Sequence, residues 1–259
     1  GEVAYKIFAL EGVKKGGDIE FFYMLELDYQ ISGKLVLQSE IPTHNVNFEI
    51  ISPESLFFDT KSYNGLPDGE CKKNYYKEKN LFSLSVTNIP ALERQELFNY
   101  EAHLQRIHFR LTRKKDVIYP LLTWDDIALG MSKVIYTEND KKTKKALWNL
   151  VAKIFPPNYE AWTQEMKIKA IDTYLKSYIR KENIANPNFE NIQSIIANQY
   201  ANELGITNLY THLFELLNIE HQLVLTSNKQ IHTFDSQFAA WEFLHTYLFY
   251  FSKFYIYFW

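Results

Sequence analysis

Hydrophobic and polar residues alternate most regularly between Asp18 and Gln30. Ile19, Phe21, Tyr23, Leu25, Leu27 and Tyr29 fall on one face; Glu20, Glu26, Asp28 and Gln30, with Phe22 and Met24, fall on the other. A period of two sustained over such a run predicts a strand with one dry face. Shorter runs of the same kind occur at Tyr5–Leu10, Leu35–Glu40, Val46–Ile50, Leu56–Asp59, Leu81–Thr87 and Gln105–Leu111. Gly16-Gly17, Gly33, Pro42, Pro53, Gly65, Pro67 and Pro90 punctuate them. Residues 1–113 therefore read as antiparallel β structure, sandwich-like or barrel-like. The polar, Gly- and Lys-rich run Asn64–Lys79 reads as a surface loop.

From Thr123 the period lengthens. Ile127, Ala128, Met131, Val134 and Ile135 make a helical stripe, with Thr123 and Asp125 ahead of it. Asp140 is placed to cap a second helix carrying Ala146, Leu147, Leu150, Val151 and Ile154, which Pro156-Pro157 ends. A third helix spans roughly Thr163–Lys181, with Ile168, Ile171, Tyr174, Leu175 and Tyr178 inward. A fourth covers Ile192–Leu204 and stops at Gly205, read as its C-terminal cap. A fifth covers Asn208–Leu217. Strands return at His221–Thr226, Phe243–Phe251 and Phe254–Trp259. The apolar run from Phe238 to Trp259 is broken by Glu242, His245 and Lys253. It predicts buried strands rather than a membrane span, which needs about 20 apolar residues.

Composition narrows the function classes. With 46% hydrophobic and 23% charged residues the chain is that of a folded protein, and 16% aromatic content favours sheet. A net charge of −3, evenly spread, leaves no basic stripe to neutralise phosphates, so nucleic acid is not an expected partner. The single cysteine, Cys71, rules out an internal disulfide and any Cys-based metal cluster. His103 and His108, five apart on one expected strand, would face opposite ways and so not form a metal pair. No Gly-rich phosphate loop, Gly-x-Ser-x-Gly or His-Glu-x-x-His is present. The first residue is Gly, the first Met is Met24, and the last residues, Phe254–Trp259, are apolar or aromatic; the expectation is a piece of a longer protein.

Three fragments of the first half carry a likeness. Leu10-Glu11-Gly12-Val13-Lys14-Lys15-Gly16-Gly17-Asp18-Ile19-Glu20-Phe21, then Gln38-Ser39-Glu40-Ile41-Pro42, then Asn88-Ile89-Pro90-Ala91-Leu92-Glu93 resemble, in order and spacing, the domain of unknown function that precedes transglutaminase-like domains in bacterial exported proteins. The second half is similar to the transglutaminase-like fold of the papain-like cysteine enzymes. In that family a Gly-x-Cys turn opens the core helix, whose N-terminus lowers the thiol pKa. A histidine on a later strand serves as base, and an aspartate orients it.

Here Gly205-Ile206-Thr207 occupies the Gly-x-Cys place, and Leu213–Ile219 follows as the core helix would. Thr207 thus stands where the nucleophile belongs. Its expected role is a helix N-cap, because an internal threonine lacks the base that would activate it. Phe243-Leu244-His245 resembles the aromatic-Asn-His strand, which makes His245 the remnant base. The aspartate position falls near Phe258 or Trp259, neither acidic. The expected architecture is α+β. An antiparallel β-sandwich-like domain over residues 1–116 is followed by residues 117–259, a helical linker and a transglutaminase-like domain incomplete at its C-terminus, with the boundary between Arg113 and Thr123. The resemblance implies a periplasmic or secreted protein with no cofactor and no metal. It implies a non-catalytic binding or scaffolding module with a peptide or glycan ligand in the degenerate cleft. The alternative is a hydrolase or peptidase acting on peptide amide bonds through a non-standard site.

Overall fold

The computed structural model describes residues 12–26, 32–114, 122–184, 186–244, 246–251 and 254–257. Within them the chain has a mixed α/β architecture of several small sheets and helices. The first half runs β1 (Ser32–Val36), β2 (Thr43–Pro53), β3 (Leu56–Tyr63), β4 (Glu70–Tyr76), β5 (Lys79–Ile89), the single-turn α1 (Tyr100–His103) and β6 (Arg106–Lys114). These strands pair antiparallel in two sheets, ordered β1-β6-β3 and β2-β5-β4. Leu66, Phe82, Leu84, Ile89 and Ile107 bury one another between them.

Two glycines are fixed by aromatic rings. A Cβ on Gly33 would lie 2.3 Å from the Phe109 ring, and one on Gly69 would lie 2.3 Å from the Phe82 ring. Only bare backbone lets those rings lie across the neighbouring strand. Directly paired residues of an antiparallel ladder share a face. Lys34 and Lys61 both pair with His108, so the three form one row on the outer face of the β1-β6-β3 sheet. Arg106 and Arg110 stand two residues to either side of His108 on that face.

The most regular alternation is not a strand. Asp18–Glu26 carries no ladder pairing, and its side chains stand in solvent, Phe21 78% and Phe22 87% exposed. Residues 27–30 lie outside the described residues, as do the run Tyr5–Leu10 and most of the expected linker between Arg113 and Thr123. Alternation offers a face to bury, but a strand also needs a neighbour for its N–H and C=O groups. Among the described residues no strand pairs with Asp18–Glu26, although His44 Nε2 approaches the Asp18 carboxylate at 3.5 Å. Conversely, β4 forms inside the run expected to be a loop, and exposed Cys71 sits on it.

The second half runs α2 (Trp124–Ile135), α3 (Lys141–Ile154), α4 (Gln164–Tyr178), β7 (Arg180–Lys181), α5 (Ile192–Asn198), β8 (Tyr200–Ala201), α6 (Glu203–Leu216), β9 (Gln222–Thr226), β10 (Thr246–Phe251) and β11 (Phe254–Tyr257). Local signals start the first helices. Thr123 accepts from the Asp126 N–H in a full capping box, Asp140 accepts from Thr143, and Thr163 accepts from Met166. Leu147, Leu150 and Val151 of α3, Ile168, Ile171 and Leu175 of α4, and Leu209, Leu213 and Phe214 of α6 form one core with Phe249 and Phe251 of β10. Val134 and Tyr178, expected inward, are exposed. The last three strands form an antiparallel sheet ordered β11-β10-β9, and β7 pairs β8 in parallel.

Candidate functional site

The α5–α6 region holds the Gly205-Ile206-Thr207 turn, and it differs from the expectation. Helix α5 ends at Asn198 because Gln199 turns left-handed, φ 63°. Asn202 then caps α6: its Oδ1 accepts the Gly205 N–H at 2.8 Å, and its Nδ2 donates to Glu190 Oε1 at 2.8 Å. Gly205 is therefore in the first turn of α6, not a C-terminal cap of the helix before. A Cβ there would come 1.8 Å from the Phe189 carbonyl oxygen, so the close approach of backbone to backbone demands glycine.

Thr207, expected to be an N-cap, lies one turn inside α6 and is fully buried. Its hydroxyl donates to the Glu203 carbonyl at 2.9 Å. A group in that position satisfies itself on its own helix and faces no solvent.

Polar groups that the sequence did not single out continue along α6. The buried Tyr210 hydroxyl donates to Asp172 Oδ1 at 2.8 Å, and Asp172 pairs with Lys176 at 2.9 Å. Burial and then the Asp172 charge push the Tyr210 phenol well above its usual range. His212 Nδ1 lies 2.8 Å from Asn139 Nδ2 and 3.3 Å from Glu215 Oε2. Burial lowers the His212 pKa, and Glu215, 3.3 Å away, only partly opposes this. Asn208 Oδ1 and Thr211 Oγ1 are buried without a hydrogen-bond partner among the described residues. Asn208, Thr211, His212 and Glu215 thus make a polar stripe at helical spacing on an otherwise apolar helix. That break in the apolar pattern is the signal a sequence reading could have used.

A second polar cluster joins distant parts of the chain. The connection of residues 227–244, between β9 and β10, crosses to the outer face of the β1-β6-β3 sheet. There Asp235 accepts from Lys61 Nζ, and from Tyr63 Oη at 2.8 Å. Its backbone oxygen accepts from Trp124 Nε1 at 3.1 Å. Burial acts to raise the Asp235 pKa, but the hydrogen bonds from Lys61, Tyr63 and the Gln237 N–H outweigh it and hold it low. His108 stacks on Phe243 at 4.6 Å, with Tyr63 at 5.1 Å and His232 at 5.8 Å edge-on. Ser32 Oγ donates to Glu242 Oε1 at 3.2 Å.

Of the remaining candidates, His245 and the aspartate position at Phe258 or Trp259 lie outside the described residues. His103 is on α1 rather than a strand, with Nδ1 2.9 Å from the Asn99 carbonyl, while His108 is on β6. Among the described residues no three His, Cys, Asp or Glu side chains are grouped to hold a metal ion, and no helix is long and apolar enough to cross a membrane. A groove of about 390 Å³, lined by Gly65, Pro67 and residues 85–90 with Gln105, lies on the β-rich half, away from α6.

No family model and no curated protein matches the chain. Its architecture is similar to the crystal structure of a "putative protease" from Parabacteroides distasonis ATCC 8503, with a TM-score of 0.61. The likeness is one of fold. Identity is 14%, and the match covers 85% of this chain but 40% of the other, so this chain spans less than half the length of that protein.

Proposed function

We propose that the chain is a β-sandwich-like domain, residues 1–116, followed by a degenerate transglutaminase-like domain, residues 117–259, of an exported bacterial protein. It acts as a non-catalytic binding or scaffolding module for a peptide or glycan. One observation carries this reading: the side chain at the nucleophile position, Thr207, is 0% exposed and donates to the Glu203 carbonyl. A hydroxyl held there is neither ionised nor reachable. The fold likeness supports a long multi-part protein as the setting.

The name of that similar protein favours a second reading, a hydrolase or peptidase acting on peptide amide bonds through a site unlike the family's. Peptide-hydrolysis and acyl-transfer assays on the full-length protein, beside Thr207→Ala and His245→Ala, separate the two. The binding reading expects no turnover above background in any of the three. Turnover lost with either substitution establishes the hydrolase and overturns the binding module. Export is tested separately. A secretory signal ahead of Gly1 and recovery outside the cytosol support it, whereas a cytosolic full-length protein with no such signal refutes it.

A further inference from the structure

Residues 227–244 connect two neighbouring antiparallel strands, β9 and β10, where a tight turn would suffice. They cover the outer face of the β1-β6-β3 sheet, and the group at its centre is an ionisable one. His108 is fully buried in the row Lys34–His108–Lys61, with Arg106 and Arg110 along its own strand. The cover brings His232, Asp235 and Glu242; β3 adds Tyr63, and Asp59, which holds Arg110 at 3.1 Å.

Hydrogen-bond roles set the charge of the ring. Arg106 Nε donates to His108 Nε2 at 3.2 Å, and a guanidinium has no acceptor. The single ring proton is therefore on Nδ1, which has no hydrogen-bond partner among the described residues. A second proton would have to go on Nε2, against the guanidinium from which that nitrogen now accepts. Stacking on Phe243 gives a cation a modest attraction. It does not prevail: burial first, then Arg106, His232 and Lys34, hold the imidazole down to about 3, with Asp235 pulling weakly the other way.

We propose that this packing is an acid-opened latch, in which residues 227–244 are the moving cover and protonation of His108 is incompatible with closure. The inference stands apart from any activity at α6. With the cover lifted the ring is solvated and loses the His232 contact, so it takes up a proton at a higher pH than the value near 3 of the closed state. Its ordinary 6.5 is the ceiling, because Arg106 and Lys34 stay beside it on the sheet. Closure is undiminished above pH 6.5 and is lost progressively as the pH falls from 6.5 towards 3. At pH 4.5 the open-to-closed ratio is higher than at pH 7.5 by as much as about 100-fold. Asp235, whose pKa is held below the ordinary 3.8, adds to the loss of closure only at the acid end, as the pH falls below about 4.

Amide hydrogen exchange on the intact chain, corrected for intrinsic rates, tests this. The Ile231, His232, Phe243 and Leu244 amides, bonded to Asn228, Ala240 and Trp241 carbonyls, report the cover. The wild type should lose protection at these amides between pH 7.5 and 4.5, by as much as about 100-fold, while amides of residues 209–214 in α6 keep theirs. His108→Gln, which cannot titrate, should abolish the loss, and His103→Gln should leave it intact. Should His108→Gln not fold, the wild-type ring resonance decides: His108 should take up its proton together with the loss of cover protection. Unchanged protection in the wild type, an equal loss in α6, the same loss in His108→Gln, or cover loss without His108 protonation would each overturn the latch.

Discussion

Thr207 and Gly205 show what a residue's neighbours in space add to its neighbours in sequence. The cap at Asp140 was legible, and Thr123 and Thr163 were placed at helix starts where they also prove to cap, because a capping side chain and the amide it accepts from are three residues apart. The same logic failed at Gly205. Asn202 is an equally good cap, and the choice between them is made by Gln199 turning left-handed and by the Phe189 carbonyl crossing Gly205. Thr207→Val keeps the shape and removes a donor to a carbonyl inside a helix. Urea unfolding should therefore shift by less than about 1 kcal/mol. Thr207→Cys should stay unreactive in the folded protein, so that thiol titration finds one reactive group, Cys71, before denaturation and two after it.

Among the elements, period two located β2, β3, β5 and β6, and the helical stripe located α2, α3 and α4 within a few residues. The strand expected at Leu35–Glu40 instead spans Ser32–Val36, the helix expected over Ile192–Leu204 ends at Asn198, and α1, β7 and β8 had no expectation. Two further differences concern what lies beside a strand. β4 is an edge strand with Lys72 and Lys73 upon it, charged in the manner that keeps edges from pairing further, and so it reads as a loop. Asp18–Glu26 has the alternation without the partner. Its exposed Phe21, Phe22 and Tyr23 should be the first described residues cut by chymotrypsin, ahead of any site in α6. Early cleavage within residues 209–214 would contradict this order. For α6, Gly205→Ala forces a Cβ into the Phe189 carbonyl and should cost about 3 kcal/mol or more, read from the urea midpoint.

At the scale of the whole molecule, the contact between the β1-β6-β3 sheet and residues 227–244 had no sequence signal. His108 and Phe243 share neither an element nor a period, and Asp235 sits in a polar stretch that reads as ordinary loop. The candidate site was legible only as the position Thr207, and its polar stripe and burial were not. Asp235→Asn removes the charge that holds Lys61 and Tyr63, and should destabilise the protein by about 2 kcal/mol at neutral pH in urea unfolding. The crossing also bears on how the chain is made. Translation completes β6 at Lys114, but the segment that shields its outer face arrives only with residues 227–244. At about 5–20 residues per second the interval is on the order of ten seconds. Throughout it the nascent sheet holds His108, Arg106, Lys61 and Arg110 in solvent. The finished protein buries the first two and half-buries the others, leaving Lys34 exposed, so the emerging half carries cationic groups that the finished protein partly hides.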